Sequence, residues 1–127
     1  MKVSKGLLYT KDHEWIKVDG NKAYVGVADY AQAQLGDIVY VELPSVDDEL
    51  EREESFAAVE SVKAAADIYM PVDGKVLEVN EALEDEPNLL NEDPYDNWMI
   101  LVEISNPSQL DDLMNAEDYE KHLEEED

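Results

Sequence analysis

The chain has 127 residues, no cysteine, and 33 acidic against 9 basic side chains, for a formal net charge of -24. That length fits one domain with a core of its own, and the lack of cysteine excludes disulfides, thiolate metal centres and a cysteine nucleophile. The charge repels nucleic acid phosphates and anionic lipid surfaces, and suits either basic docking patches on partners or plain solubility.

The opening stretch MKVSKGLLYTKDHEW has neither the apolar run of a secretory signal nor an arginine-rich transit pattern. No apolar run anywhere approaches the roughly 20 residues of a membrane helix. The expectation is a protein of a bacterial-type cytoplasm, or of the mitochondrial matrix if the sequence is a mature organellar chain.

Residues 14–27, EWIKVDGNKAYVGV, read as a β-hairpin turning at Asp19-Gly20, with Ile16, Val18, Val25 and Val27 as strand formers. Asp29 is placed to cap a short helix over 30–35, and Gly36 to end it. Residues 37–44 return to strand and stop at Pro44. Residues 45–54 read as a solvated loop, since six of the eight residues from Asp47 to Glu54 are acidic. They lack the central glycine and alternating ligands of a calcium loop, so no metal site is expected.

The stretch AAVESVKAAADIYMP, residues 57–71, places two apolar, strand-like runs around a short polar tip that carries Lys63. A hairpin apex is where another protein reaches a side chain without disturbing the core. Lys63 is also the one basic residue between Arg52 and Lys75. A lysine in a turn is, on its own, usually just a solvated charge.

Pro71-Val72-Asp73-Gly74 reads as a turn in which glycine supplies a positive dihedral, and residues 75–80 as the next strand. GDIVYVELPSVDDELERE and GKVLEVNEALEDEPNLL echo one another weakly as glycine, strand and acidic loop, suggesting two similar motifs around one core. Trp98, Ile100, Val102 and Ile104 alternate in a largely buried strand. Asn106, Pro107 and Gln109 have capping-box spacing for a helix through Leu110, Leu113 and Met114. Asn115 is placed to cap a last acidic helix, residues 116–127, that frays from 124 onward.

ESVKA followed by DIYMPVDG resembles the lipoyl-attachment hairpin of the H-protein family of the glycine cleavage system. KDHEW, DYAQAQLGDIVYVELP, VNEALEDEPNLLNEDPY and SQLDDLMNAEDY match the same family in the same order, from about Leu8 to Tyr119. The resemblance implies a single carrier domain over 1–127 with its core at 8–119. It also implies a mainly β fold, the lipoyl/biotinyl-type barrel-sandwich hybrid, with a short internal helix and C-terminal helices.

It further implies (R)-lipoate joined to Lys63 through an amide, and no catalysis by the chain itself. Loading by glycine decarboxylase (P protein), unloading by aminomethyltransferase (T protein) and reoxidation by dihydrolipoyl dehydrogenase (L protein) would occur on that arm. A lysine is almost wholly ammonium at neutral pH, so attachment needs a lipoate ligase or an octanoyl/lipoyl transferase. A monomer is expected.

In the family, acidic residues matching Glu14 and Asp67 lie by a cleft that receives the loaded arm, and a carboxylate pair there would hold its ammonium. Tyr30, Gln34 and Leu35 could line that cleft, or their helix could simply pack on the sheet. Glu14 is otherwise an exposed strand residue and Asp67 a turn residue. His13 reads as a local hydrogen-bonding residue, with His122 its one candidate partner in a two-histidine site. Trp15 and Trp98 read as core or cleft wall.

Two departures stand out: the family has a glycine where this chain has Glu54, and often glycines where it has Asp96-Asn97. Both concern loop geometry. The tip lacks the methionines that flank a biotinyl lysine. The rival readings are an H-like protein that relays lipoyl groups to other enzymes, and an enzyme in its own right, for which no nucleophile and base pair is visible.

Overall fold

The computed structural model describes residues 2–126. β1 (Leu8–Tyr9) pairs with β2 (Glu14–Asp19), and β2 with β3 (Lys22–Val27) as the expected hairpin. Its two-residue turn is Gly20-Asn21, one residue later than expected, because Asp19 still pairs with Lys22. Gly20 has φ +65° at the first turn position, which a type II′ connection requires.

α1 (Asp29–Leu35) follows, with Ala28 at its N-cap and no side-chain cap. Asp29 therefore does not cap as expected: it is already helical, and its carboxylate accepts from the Gln32 side chain and the Lys2 backbone amide. Gly36 does end the helix, at φ 81° and ψ -151°, a region open essentially to glycine alone.

β4 (Ile38–Glu42) leads to a loop that is not wholly irregular, since β5 (Glu49–Leu50) pairs with β8 (Gly74–Val79). The loop's left-handed carboxylate residues are Asp47 and Glu53 rather than Glu54. β6 (Ser55–Ser61) and β7 (Ala65–Tyr69) form the second hairpin.

Gly74 opens β8, but not through a positive dihedral: a Cβ there would lie 2.9 Å from the Glu103 carbonyl oxygen, so the glycine permits close approach of β9 (Ile100–Ile104). The 82–92 stretch, expected as an acidic loop, holds two one-turn helices, α2 (Ala82–Asp85) and α3 (Leu89–Glu92). Leu83 and Leu90 anchor them in the core.

Residues Pro107–Asp112 form a 3-10 helix without a capping box, because Gln109 instead accepts from the Asp73 amide at 2.7 Å. Asn115 does cap α4 (Ala116–Glu126), accepting from Asp118 at 2.8 Å. The helix continues through Glu126 where fraying was expected, while Asp127 lies outside the described residues.

The strands make two sheets, β1-β2-β3-β9-β8-β5 and β4-β6-β7. β4 and β8, the strands of the two echoing motifs, thus stand in different sheets. Between the sheets lies a core of Ile16, Val25, Val41, Val59, Ile68, Val76 and Val102, all 4% exposed or less. This is the mainly β two-sheet architecture, with C-terminal helices, that the sequence led us to expect.

A second cluster, around Tyr9, Trp15 and Tyr119, fastens α4 to β1. The rings of Tyr9 and Tyr119 stack at 4.3 Å, and the bridge from Tyr9 to Met114 extends that edge. Trp15 is buried and donates to the Pro94 carbonyl at 3.1 Å, whereas Trp98 is half-buried against Tyr24. Among the described residues no helix is long and apolar enough to cross a membrane.

Candidate functional site

Beyond a register shift between Ser55 and Ala57, the strands of the β6–β7 hairpin pair regularly from Ala57 opposite Ile68 to Glu60 opposite Ala65, leaving Val62, Lys63 and Ala64 as the exposed tip. Ser61 builds the turn. Its amide donates to the Ala64 carbonyl at 2.7 Å, and its hydroxyl oxygen accepts from the amides of Lys63 and Ala64 at 3.3 and 3.0 Å. Serine here stands in for a backbone acceptor.

The tip is also held from below, because the Val62 amide donates to the Asp37 carbonyl at 3.0 Å. The Lys63 stem passes over Gly36, where a Cβ would sit 3.5 Å from the lysine Cε. That platform is tied to the body by Asn91. Its side chain accepts from the Ile38 amide at 2.9 Å and donates to the Gly36 carbonyl at 2.8 Å and the Gln32 side chain at 3.0 Å. Among the described residues Lys63 takes part in no ion pair. An exposed amine on a braced tip fits an acyl group attached through an amide.

At the other end of the hairpin lies a cleft of about 460 Å³ walled by Tyr9, Tyr69, Met70, Pro71, Leu113 and Met114. Arg52 and Asp112 line it too and pair at 2.8 Å. Glu14, only 2% exposed, is among its lining residues. Thr10 donates to its carboxylate at 2.5 Å and accepts from its amide at 3.1 Å, and the Tyr69 amide donates at 3.4 Å. Burial is the largest cause that pushes the Glu14 carboxyl up from 4.5 to about 7, with the Thr10 and Tyr69 bonds opposing it and the Asp12 charge adding to it.

Asp67 is not beside Glu14 in this cleft. Ile68 turns into the core, so Asp67 turns outward on the face of the three-stranded sheet, where it lines a separate depression with Glu42, Pro44 and Ala58. Tyr30, Gln34 and Leu35 line neither. Leu35 is the core-facing residue of α1, Gln34 faces solvent, and Tyr30 packs on His13 with ring centroids 4.3 Å apart.

His13 is a hydrogen-bonding residue, but to a partner distant in sequence: its Nδ1 is 2.7 Å from the Tyr119 hydroxyl. Its ring lies 5.8 Å from that of His122, and no set of three or more His, Cys, Asp or Glu among the described residues is arranged to hold a metal. Sequence reasoning missed Thr10, Ser61 and Asn91. Of these only Ser61 left a signal, as a hydroxyl two residues before a tip lysine.

The model of the glycine cleavage H-protein family matches residues 7–126. The chain belongs to that family. The glycine cleavage system H protein of Thermoanaerobacter sp. (strain X514) is 61% identical over 126 residues, 99% of this chain and 100% of that protein. That of Alkaliphilus oremlandii is 58% identical over 99% of both chains. A crystal structure of the H protein from Mycobacterium marinum superposes with a TM-score of 0.81 at 33% identity, covering 92% of this chain and 95% of that one. As a member of the glycine cleavage H-protein family the chain is a lipoyl carrier component of the glycine cleavage system, not a catalyst, and its partners are enzymes of that system.

Proposed function

We propose that 1–127 acts as one carrier domain with lipoate attached to the Nζ of Lys63, and that it moves an aminomethyl group from glycine decarboxylase to aminomethyltransferase before dihydrolipoyl dehydrogenase restores the disulfide. The observation that carries this reading is the exposed amine on a tip braced by Ser61, Asp37 and Gly36. When bound, the group supplies a dithiolane that accepts and releases the one-carbon unit. The chain supplies position: an effective concentration at each partner's site and a partly dry resting place between them.

Glu14 is the residue we assign to that resting place. A charged carboxylate meets an aminomethyl ammonium most strongly where water is scarce, and Glu14 is buried at a cleft whose walls mix apolar side chains with the charged Lys11, Arg52 and Asp112. Roughly 20 Å of hairpin separates Lys63 from Tyr69 at the cleft, counting six residues of strand, so the arm folds back along β7 to reach it. Asp67, on the outer sheet face, serves a different role under this reading. The bacterial relatives support a bacterial-type cytoplasm.

The test is intact mass of the apo chain with and without lipoate ligase, lipoate and ATP. A gain of one lipoyl group, absent from Lys63→Ala, is expected; attachment at Lys75, or no attachment, overturns the reading. Exchange of glycine carboxyl carbon with bicarbonate by purified glycine decarboxylase then separates a glycine-cleavage carrier from a lipoyl relay, which would not support it.

A further inference from the structure

Among the described residues five large hydrophobic side chains are strongly exposed, and three of them stand at the lysine end of the hairpin: Val62 at 70% precedes Lys63, and Val39 at 56% and Tyr40 at 47% lie on β4 where it pairs with Glu60 and Ser61 of β6. The sequence alone gives no reason for two consecutive apolar residues of one strand to face water. The structure does: the β4–β6 pairing slips between Ile38 and Tyr40, and the extra residue of such a bulge breaks the alternation of faces. Ile38 and Val41 turn inward while Val39 and Tyr40 are both left outside. β4 is also one of the two edge strands of the three-stranded sheet, and the hydrogen bond from Val62 to Asp37 holds the lysine tip against its start.

The border of this patch is uniformly acidic. Asp37, Glu42, Glu60 and Asp67 are all exposed on the same three strands or their entry, and β4, β6 and β7 contain no basic residue. Cross-strand rows run Tyr40-Glu60-Ala65 and Glu42-Ala58-Asp67. Tyr40 thus stands beside the Glu60 carboxylate, with small Ala65 beyond it and Glu42 two residues along its own strand. A partner that covers this face carries an apolar centre and a basic rim.

Which partner follows from where each must put its chemistry. An enzyme that acts on the far end of an arm meets it at arm's length from the tip. One that acylates the lysine must bring an activated acyl group into bonding distance of Nζ itself, so the surface within a side-chain length of Lys63 lies inside its footprint. We propose that Val39, Tyr40 and Val62 form the docking patch for the enzyme that acylates Lys63, an inference that rests on the attachment reading above. In that step Nζ gives up a proton and attacks the carbonyl of an acyl adenylate. The amide C–N bond forms, the bond from carbonyl to phosphate oxygen breaks, adenylate leaves, and nothing is oxidised or reduced.

The experiment measures initial rates of Lys63 lipoylation against carrier concentration, using lipoate ligase with ATP and lipoate. Val39→Ser, Tyr40→Ser and Val62→Ser are compared with Val18→Ser, an exposed valine on β2 of the other sheet. Val62 lies outside any strand, so its variant tests the patch without touching the ladder. KM for the carrier should rise about tenfold in each patch variant, with kcat unchanged and Val18→Ser as wild type. Wild-type KM in all three patch variants, with Lys63 still acylated, overturns the docking patch and leaves the attachment reading intact. Slower glycine decarboxylation with unchanged ligase kinetics also overturns it, by giving the face to another partner. No lipoyl group at Lys63 in the wild-type chain overturns the attachment reading itself.

Discussion

Replacing Glu14 by glutamine keeps the size of the side chain and one acceptor but removes a buried ionisable group. Below pH 4.5 the Glu14 carboxyl is protonated in folded and unfolded chains alike and imposes no penalty. As pH rises toward about 7 the unfolded chain ionises freely while the folded chain resists, since burial holds its carboxyl up near 7, so this group's contribution to stability is lost across that window. At about 1.4 kcal/mol per pH unit of displacement, the loss amounts to about 3 kcal/mol by pH 8. Urea unfolding of both chains at intervals from pH 4.5 to 8 measures it, and subtracting one curve from the other cancels the many other carboxylates. Glu14→Gln should gain about 3 kcal/mol on the wild type over that range, most of it between pH 5 and 7. A difference that stays flat with pH refutes the burial argument, because an exposed carboxylate gives no such slope.

Gly36→Ala tests the platform under the lysine: with φ 81° and ψ -151°, a Cβ should cost roughly 1–3 kcal/mol, read as a lower urea midpoint with unchanged slope. The added methyl, 3.5 Å from the Lys63 Cε, should also shift the chemical shifts of the tip amides of Val62 to Ala64. Asn91→Ala removes the partners of the Ile38 amide and the Gly36 carbonyl and should cost about 2–3 kcal/mol. Faster hydrogen exchange should appear at Ile38 first, and a variant as stable as wild type would show that water takes over both bonds.

What could be read from the sequence was local. Lys63 at a hairpin tip needs only two short apolar runs and a gap, and Gly36 after the 30–35 helix and Asn115 before the last helix are single-residue signals with one mechanism each. The failures were competitions between local partners and distant ones. Asp29 had the spacing of a cap but binds Gln32 and the Lys2 amide, and Gln109 abandons its own helix for Asp73. α2 and α3 are four residues each, too short for a 3.6-residue period to show, so their leucines looked like parts of an acidic loop.

The candidate site was legible in one half and hidden in the other for the same reason. Lys63 is defined by its own hairpin, whereas the cleft is assembled from β1, β2, β7 and the segment after the 3-10 helix, which only the pairing of strands in two sheets brings together. Glu14 begins a strand whose first three residues, Glu14, Trp15 and Ile16, are all buried, so the alternation that would place a glutamate in water does not hold there. Asp67 is the converse, an outward neighbour of buried Ile68. A chain with this many carboxylates could satisfy solubility without burying one in a cleft lined by Tyr9, Met70 and Leu113. Burying it costs about 3 kcal/mol at neutral pH, and a cation brought in beside it, as an aminomethyl ammonium would be, would offset that cost.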